Sequence, residues 1–326
     1  MPAWLQTAIK AVLSSLVIGF VLDKLLQADY SLSSMAGVFA HYHWVYLVGA
    51  VLLLPFNLGL EAFKLHRLIR PLYGTLPFRQ TLYAVLAGMS LGFITPNRLG
   101  EYAGRVLYLP QGHRTEAAVA TYLGRLSQLV AALAGAAMGV AVLLAAGKVQ
   151  GYMPLLWIAL LAVLATALAT FIAGPRSMHA VAHLLRLDRW RLTRAVVHAI
   201  AKAQASFPRG QLQLLLLLGM VRYGVFIAQY YLLLCAFGYS GTFALAAAVC
   251  ALVFILKSLV PSVAFSEMGI REGIALQVMG WMFIPAAVCF NATLGLFALN
   301  LLLPSALGVL FLLRLQLAAP RVKGAA

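Results

Sequence analysis

The chain has 326 residues, of which 63% are hydrophobic and only 10% charged, with a mean hydropathy of +0.94. Soluble domains average about 25% charged residues, so an ordinary water-soluble enzyme is excluded. The formal charge of +16, from 24 Lys and Arg against 8 Asp and Glu, implies a sided membrane topology and attraction to anionic headgroups, with no nucleic acid as partner.

A helix needs about 20 largely apolar residues to cross the hydrocarbon, and six segments reach that length: 5–26, 44–63, 116–146, 153–174, 211–237 and 286–313. The first contains Lys10, Asp23 and Lys24 and lacks a small-residue cleavage site, which predicts a retained helix. Two further apolar segments, 80–95 and 243–260, each run into a proline, Pro96 and Pro261, followed by Gly, Arg and Glu. They read as interrupted segments. Cys235, Cys250 and Cys289 all lie within apolar stretches, where thiols act as small hydrophobes.

Lys and Arg set the orientation. Loop 64–79 carries Lys64, Arg67, Arg70 and Arg79, segment 176–209 carries a series from Arg176 to Arg209, and the tail carries Arg314, Arg321 and Lys323. Loops 27–43 and 238–242 have none, and 147–152 has only Lys148. The positive-inside rule then puts both termini in the cytoplasm of a cell (inner) membrane protein. That topology requires both interrupted segments to return to the side they start from, as re-entrant helical hairpins at about 80–110 and 243–284. Both first arms exceed half a bilayer, so they must tilt, and a full crossing by one of them stays open.

The expected fold is thus an all-α polytopic membrane protein forming one integral domain over 1–326. It has about six spanning helices and two re-entrant hairpins arranged as an inverted repeat, 1–174 and 211–313, with a binding site between the broken helices. Between the halves, 176–206 interleaves Val181, Leu184, Leu185, Val196 and Ile200 with Arg at helical spacing, the pattern of an interfacial basic helix.

The first polar motif runs from Phe93 to Arg105. Thr95 is placed to cap a helix starting at Pro96, where the missing N–H costs nothing, with Asn97 in its first turn. Arg98, Glu101 and Arg105 then share one face, and Gly100 and Gly104 permit a close approach by a backbone or lipid group. The second motif follows Pro261. Ser266 is placed to cap a short helix through Trp281, Glu267 and Arg271 form an i, i+4 pair, and Gly269 and Glu272 complete the stretch. Each charge at a helix centre costs about 2.5–3.5 kcal/mol, so the motifs imply a hydrated, protein-lined cavity or, as the plainer alternative, structural ion pairs.

These stretches resemble the transmembrane domain of lysylphosphatidylglycerol synthases and their stand-alone flippase-like relatives. The resemblance rests on P-x-R-x-G-E from Pro96 to Glu101 with Arg105, on Arg125 in the next helix, and on the stretch ending Gly269, Arg271 and Glu272. It implies movement of a phospholipid headgroup between leaflets through a cavity between two pseudo-symmetric halves. The sequence departs from the pattern at Leu126-Ser127-Gln128, where an acidic residue commonly follows the arginine. It departs again at Ala264–Glu267, where two glycines are common, and Glu267 adds acidity. Only a basic tail follows residue 313, so the synthases' aminoacyl transferase is expected to be missing.

Other residues have plainer readings. Glu61 sits at a helix end with Lys64 three residues on, which predicts a local ion pair; Arg222, Tyr223, Gln229, Tyr230 and Tyr231 form a polar stripe suited to the cavity; Lys257 suits the cavity or the interface equally. Asn57, after Pro55, suggests a kink, and Asn291 and Asn300 suggest interhelical hydrogen bonds. His179 and His183 lack a carboxylate or Cys companion, so neither metal nor cofactor is expected.

The leading expectation is a non-enzymatic translocator of an anionic or aminoacylated phospholipid, or of a polyprenyl-phosphate-linked lipid. In it Arg98, Arg105, Arg125 and Arg271 attract phosphate while Glu101, Glu267 and Glu272 balance them or receive an amine. The alternatives are an intramembrane transferase or hydrolase with Glu101 or Glu272 as base, and a scaffold for a separate lipid-modifying enzyme.

Overall fold

A computed structural model describes residues 43–95, 98–110, 112–148, 153–172, 207–260 and 264–318. The expected span at 5–26, the interfacial helix at 176–206, the pair His179 and His183, and the motif residues Pro96, Asn97 and Pro261 lie outside the described residues. For Glu267 only the backbone is described. Among the described residues there is no strand.

Helix α1, Trp44–Tyr73, runs 30 residues and stops at Gly74, whose positive φ of 63° glycine adopts without the steric cost of a Cβ. The helix therefore runs on past the expected span end at 63. Residues 64–70 are not a loop, because Leu65, Leu68 and Ile69 recur at helical spacing and are buried, and the intervening Lys and Arg are good helix formers. Helix α2, Phe78–Ile94, is followed by the nine-residue α3, Gly100–Tyr108, and the long α4, Arg114–Ala145. Helix α5 is Met153–Ile172. The second half comprises α6, Arg209–Ala236, α7, Phe243–Leu259, α8, Ala264–Gly280, and α9, Ala286–Phe297. A π-helical turn, Ala298–Leu302, joins α9 to α10, Leu303–Ala318. Pro304 accounts for that turn: it has no N–H to give the carbonyl four residues back, that of Asn300, and its ring crowds the same carbonyl.

Four described helices are long and apolar enough to cross a membrane: Trp44–Tyr73, Arg114–Ala145, Arg209–Ala236 and Ala286–Leu313. They coincide with four of the expected spans. Their outer faces expose Leu52, Phe56, Met138, Leu217 and Leu310, a scale of apolar exposure that suits lipid and not water. The 17-residue α2 and α7 are each roughly 25 Å long, short of the hydrocarbon thickness of about 30 Å.

The packing is reciprocal. In the first half α1 touches α2 and α4, α2 touches α3, and α3 touches α4; in the second, α6 touches α7 and α9, α7 touches α8, and α8 touches α9. Between the halves α1 and α4 pack on α6, α2 packs on α10, and α4 packs on α7. The close approaches follow suit: Gly139 of α4 lies against the Ala248 carbonyl of α7, and Gly308 of α10 against the Leu86 carbonyl of α2.

Candidate functional site

The site starts at the break between α2 and α3. The Thr95 hydroxyl donates to the Leu91 carbonyl at 2.9 Å and accepts the Gly100 N–H at 2.7 Å, joining the end of one helix to the start of the next. Thr95 thus serves the following helix as expected, but that helix begins at Gly100 and not at Pro96. Arg98 causes the delay: its φ of 57° is left-handed and cannot continue a right-handed helix. For a residue with a Cβ this conformation costs roughly 1–2 kcal/mol.

Beyond the break, α3 folds back on α2 at backbone contact distance. A Cβ on Gly104 would stand 2.6 Å from the Gly88 Cα and 2.7 Å from the Ala87 carbonyl oxygen. The Gly100 and Gly104 spacing therefore serves a neighbouring backbone, the first of the two roles its sequence allows.

This packing aims α3's charges inward. Arg105, 1% exposed, donates through Nη2 to Oε1 of Glu61 at 2.8 Å and to Oε1 of Glu101 one turn back. Glu61 in turn faces Lys64 Nζ at 3.0 Å and Arg222 Nη1 at 3.2 Å, while Lys64 also donates to the Gly124 carbonyl at 3.2 Å. One carboxylate on α1 therefore joins α3 and α6. The sequence predicts the local Glu61–Lys64 pair; the partners on other helices follow from α1 continuing past residue 63. With α1 running on to Tyr73, Glu61 lies inside the bundle and not at a helix end.

Arg125, on α4, reaches Oε2 of Glu101 at 3.8 Å and the Arg98 carbonyl at 3.4 Å, and lies over the Tyr102 ring at 5.6 Å from its centroid. Arg222 also donates to Gln128 Oε1 at 3.1 Å and lies over Phe226. In the second motif Arg271 donates to Glu272 at 3.1 Å, with its guanidinium 4.9 Å from the Phe297 ring centroid. The backbone of α8 is already helical at Ala264. Ser266 is therefore the helix's third residue and not its cap. Gly269 and Glu267 also lie within α8.

These groups surround a cavity of about 540 Å³. Arg98, Arg125, Arg222, Lys257 and Arg271 line it as cations, with Lys64 and Arg105 paired directly behind Glu61. Glu61 and Glu101 line it as carboxylates, and Glu272 backs Arg271. Among the described side chains, that places seven cations and three carboxylates at the cavity wall or directly behind it. The rest of the lining is apolar and comes from both halves, including Met89, Leu126, Leu129, Phe226, Phe254 and Leu296.

Asn300, on the π turn, also lines the cavity. It donates to Gln229 Oε1 at 2.7 Å and accepts from Asn57 Nδ2 at 2.5 Å, and Gln229 donates to the Ala50 carbonyl at 2.8 Å. Asn57 and Asn300 are thus the interhelical pair expected of one of them. The site brings together Arg98, Glu101, Arg105, Arg125, Arg271 and Glu272 with the cavity candidates Arg222 and Lys257, and adds Glu61 and Asn300.

The fold and cavity define a polytopic α-helical membrane protein with an ionic, partly apolar cavity in its bundle. Residues 7–308 match the family described as Lysylphosphatidylglycerol synthase TM region, and the chain belongs to that family. No curated protein matches it. The family and the membrane helices fit a function concerned with membrane lipid.

Proposed function

We propose that this protein translocates a lipid with an anionic or aminoacylated headgroup between the leaflets of the cell (inner) membrane, without chemistry on the lipid. The supporting observation is the cavity: it is lined by five cations and by apolar side chains from both halves, as a phosphate headgroup with attached chains requires. Its position between two halves that pack reciprocally suits alternating exposure by rocking of one half on the other. In this reading the broken helices are re-entrant and both termini are cytoplasmic.

An enzymatic reading is less well supported. Glu101 is engaged by Arg105 and faces Arg125, and a carboxylate stabilised by two guanidiniums is a weak base. In reconstituted vesicles, Arg98→Ala and Arg271→Ala variants incorporated to wild-type level are expected to lose at least tenfold in the rate of fluorescent-lipid translocation. Unchanged rates in both would sink the proposal.

A further inference from the structure

We infer that Phe297 is a positioning residue: its ring sets the Arg271 guanidinium in register with the first polar motif, so that both broken helices hold one anionic headgroup together. The headgroup rests on the lipid-site reading above, which this deepens.

The surroundings of the ring are the first support. Phe297 is the last residue of α9 and is buried, and the Arg271 guanidinium of α8 lies 4.9 Å from its centroid. The same ring meets that of Phe93, next to last in α2, at 6.3 Å between centroids, inside the range of about 4.5–7 Å for aromatic pairs. This end of α2 rests on the first motif, since a Cβ on Gly92 would stand 3.2 Å from that of Glu101 and 3.5 Å from that of Arg98. A path of contacts thus runs from Arg271 through Phe297 to the end of α2 and on to Arg98 and Glu101. Arg98, Glu101 and Arg271 all line the cavity.

The second support is how Arg271 is otherwise held. Its carboxylate partner, Glu272, is the next residue of the same helix, and successive helical side chains point about 100° apart. That bond forms at one nitrogen, Nη2, at 3.1 Å, and ties Arg271 to no second helix. The ring supplies that tie. Its negative face attracts a cation, more strongly where water is excluded, yet it brings no negative charge to compete with an entering phosphate.

The third is that the ring stands on a fixed backbone. Asn300, three residues on, accepts from Asn57 of α1 and donates to Gln229 of α6. Two more cavity guanidiniums lie over rings, Arg125 over Tyr102 and Arg222 over Phe226. Phe226 belongs to the helix of Arg222, and Tyr102 to the same half as Arg125. Of the three rings, Phe297 is the one that joins the two motifs.

The test uses the full chain purified in detergent, with Phe297 replaced in turn by phenylalanines bearing one, two and three ring fluorines. Fluorine drains charge from the face of the ring and changes its size little, so a graded response reports attraction for a cation and not packing. The unfolding temperature should fall stepwise along the series. It should stay level when the series is made in Arg271→Gln with Glu272→Gln, which removes the ion pair as a unit. A level series in both backgrounds, or the same slope in both, would overturn the inference.

Affinity for dihexanoyl phosphatidylglycerol, read by calorimetric titration at fixed salt, should fall severalfold from the unsubstituted to the trifluorinated ring. Joint holding is read from Arg98→Gln and Arg271→Gln, whose losses should be non-additive with Phe297 in place and additive in Phe297→Leu. Additive losses in both backgrounds, or an affinity indifferent to fluorine, would also overturn it. Inorganic phosphate is the second probe. If it binds as tightly as the lipid and with the same fluorine dependence, the role of Phe297 stands and the lipid reading falls. If neither probe binds, both fall.

Discussion

Around α2 and α3 the helices meet at glycines, and the inner face is ionic, with Glu61, Glu101 and Arg105 all buried. Around α7 and α8 the same order of elements is built from other material. Helix α7 buries Ala246, Val249, Cys250 and Val253 in the larger apolar cluster, and the described charges there are Lys257 and the Arg271–Glu272 pair. Ion pairs demand defined distances and penalise displacement, whereas apolar contacts are non-directional and tolerate sliding. One wall of the cavity is therefore fixed by charge and the other held by packing, although both follow the same contact plan.

The largest effect should come from breaking the ionic wall at its centre. Glu61→Gln leaves Lys64, Arg105 and Arg222 facing one another and should destabilise the protein by about 3–5 kcal/mol, read as a lower unfolding temperature in detergent. Pairing it with Arg222→Gln should recover part of the loss, and a double variant as unstable as the sum of the two singles would show that the two side chains are not coupled.

Next is close approach. Gly104→Val should cost at least about 1–3 kcal/mol through overpacking against the Gly88 backbone. Gly139→Val, facing the Ala248 carbonyl in the packed wall, should cost less if that wall yields by sliding. Equal losses at the two sites would remove the distinction between the walls.

The neutral cluster comes third. Asn300→Ala leaves Gln229 and Asn57 short of a partner and should cost about 1–3 kcal/mol. The smallest change is opposite in sign. Gly224, with open space where a Cβ would stand, should gain up to about 1 kcal/mol as Gly224→Ala.

Four of the expected spans were legible, because runs of some twenty apolar residues have few other uses, and the prolines mark the breaks. The motif charges were also legible, since charge between apolar stretches stands out. Glu61 was not, because the Lys and Arg after it looked like a loop while Leu65, Leu68 and Ile69 were continuing the helix. The start of α3 was missed because Thr95 and Pro96 make a good helix start on local grounds, and the left-handed Arg98 is imposed by the fold-back. Arg222 and Asn300 were visible as polar residues in apolar helices, but their partners Gln128, Gln229 and Asn57 lie 94, 71 and 243 positions away, and spacing along one helix carries no information about such pairs.

Pro304 has a consequence for how a single rod serves two halves. By forcing a wide turn at Ala298–Leu302, it inserts an extra residue into the helical repeat, and each residue corresponds to about 100° of rotation. The inner face of α9, where Thr293 meets Tyr230 at 2.5 Å, is thereby put out of phase with that of α10, where Ser305 accepts from Ser90 at 2.5 Å and Gly308 nests on α2. A regular helix would point one continuous stripe at one neighbour. The phase shift lets the upper part address its own half and the lower part the other, so the last helix acts as a coupling rod whose twist is set by one imino acid.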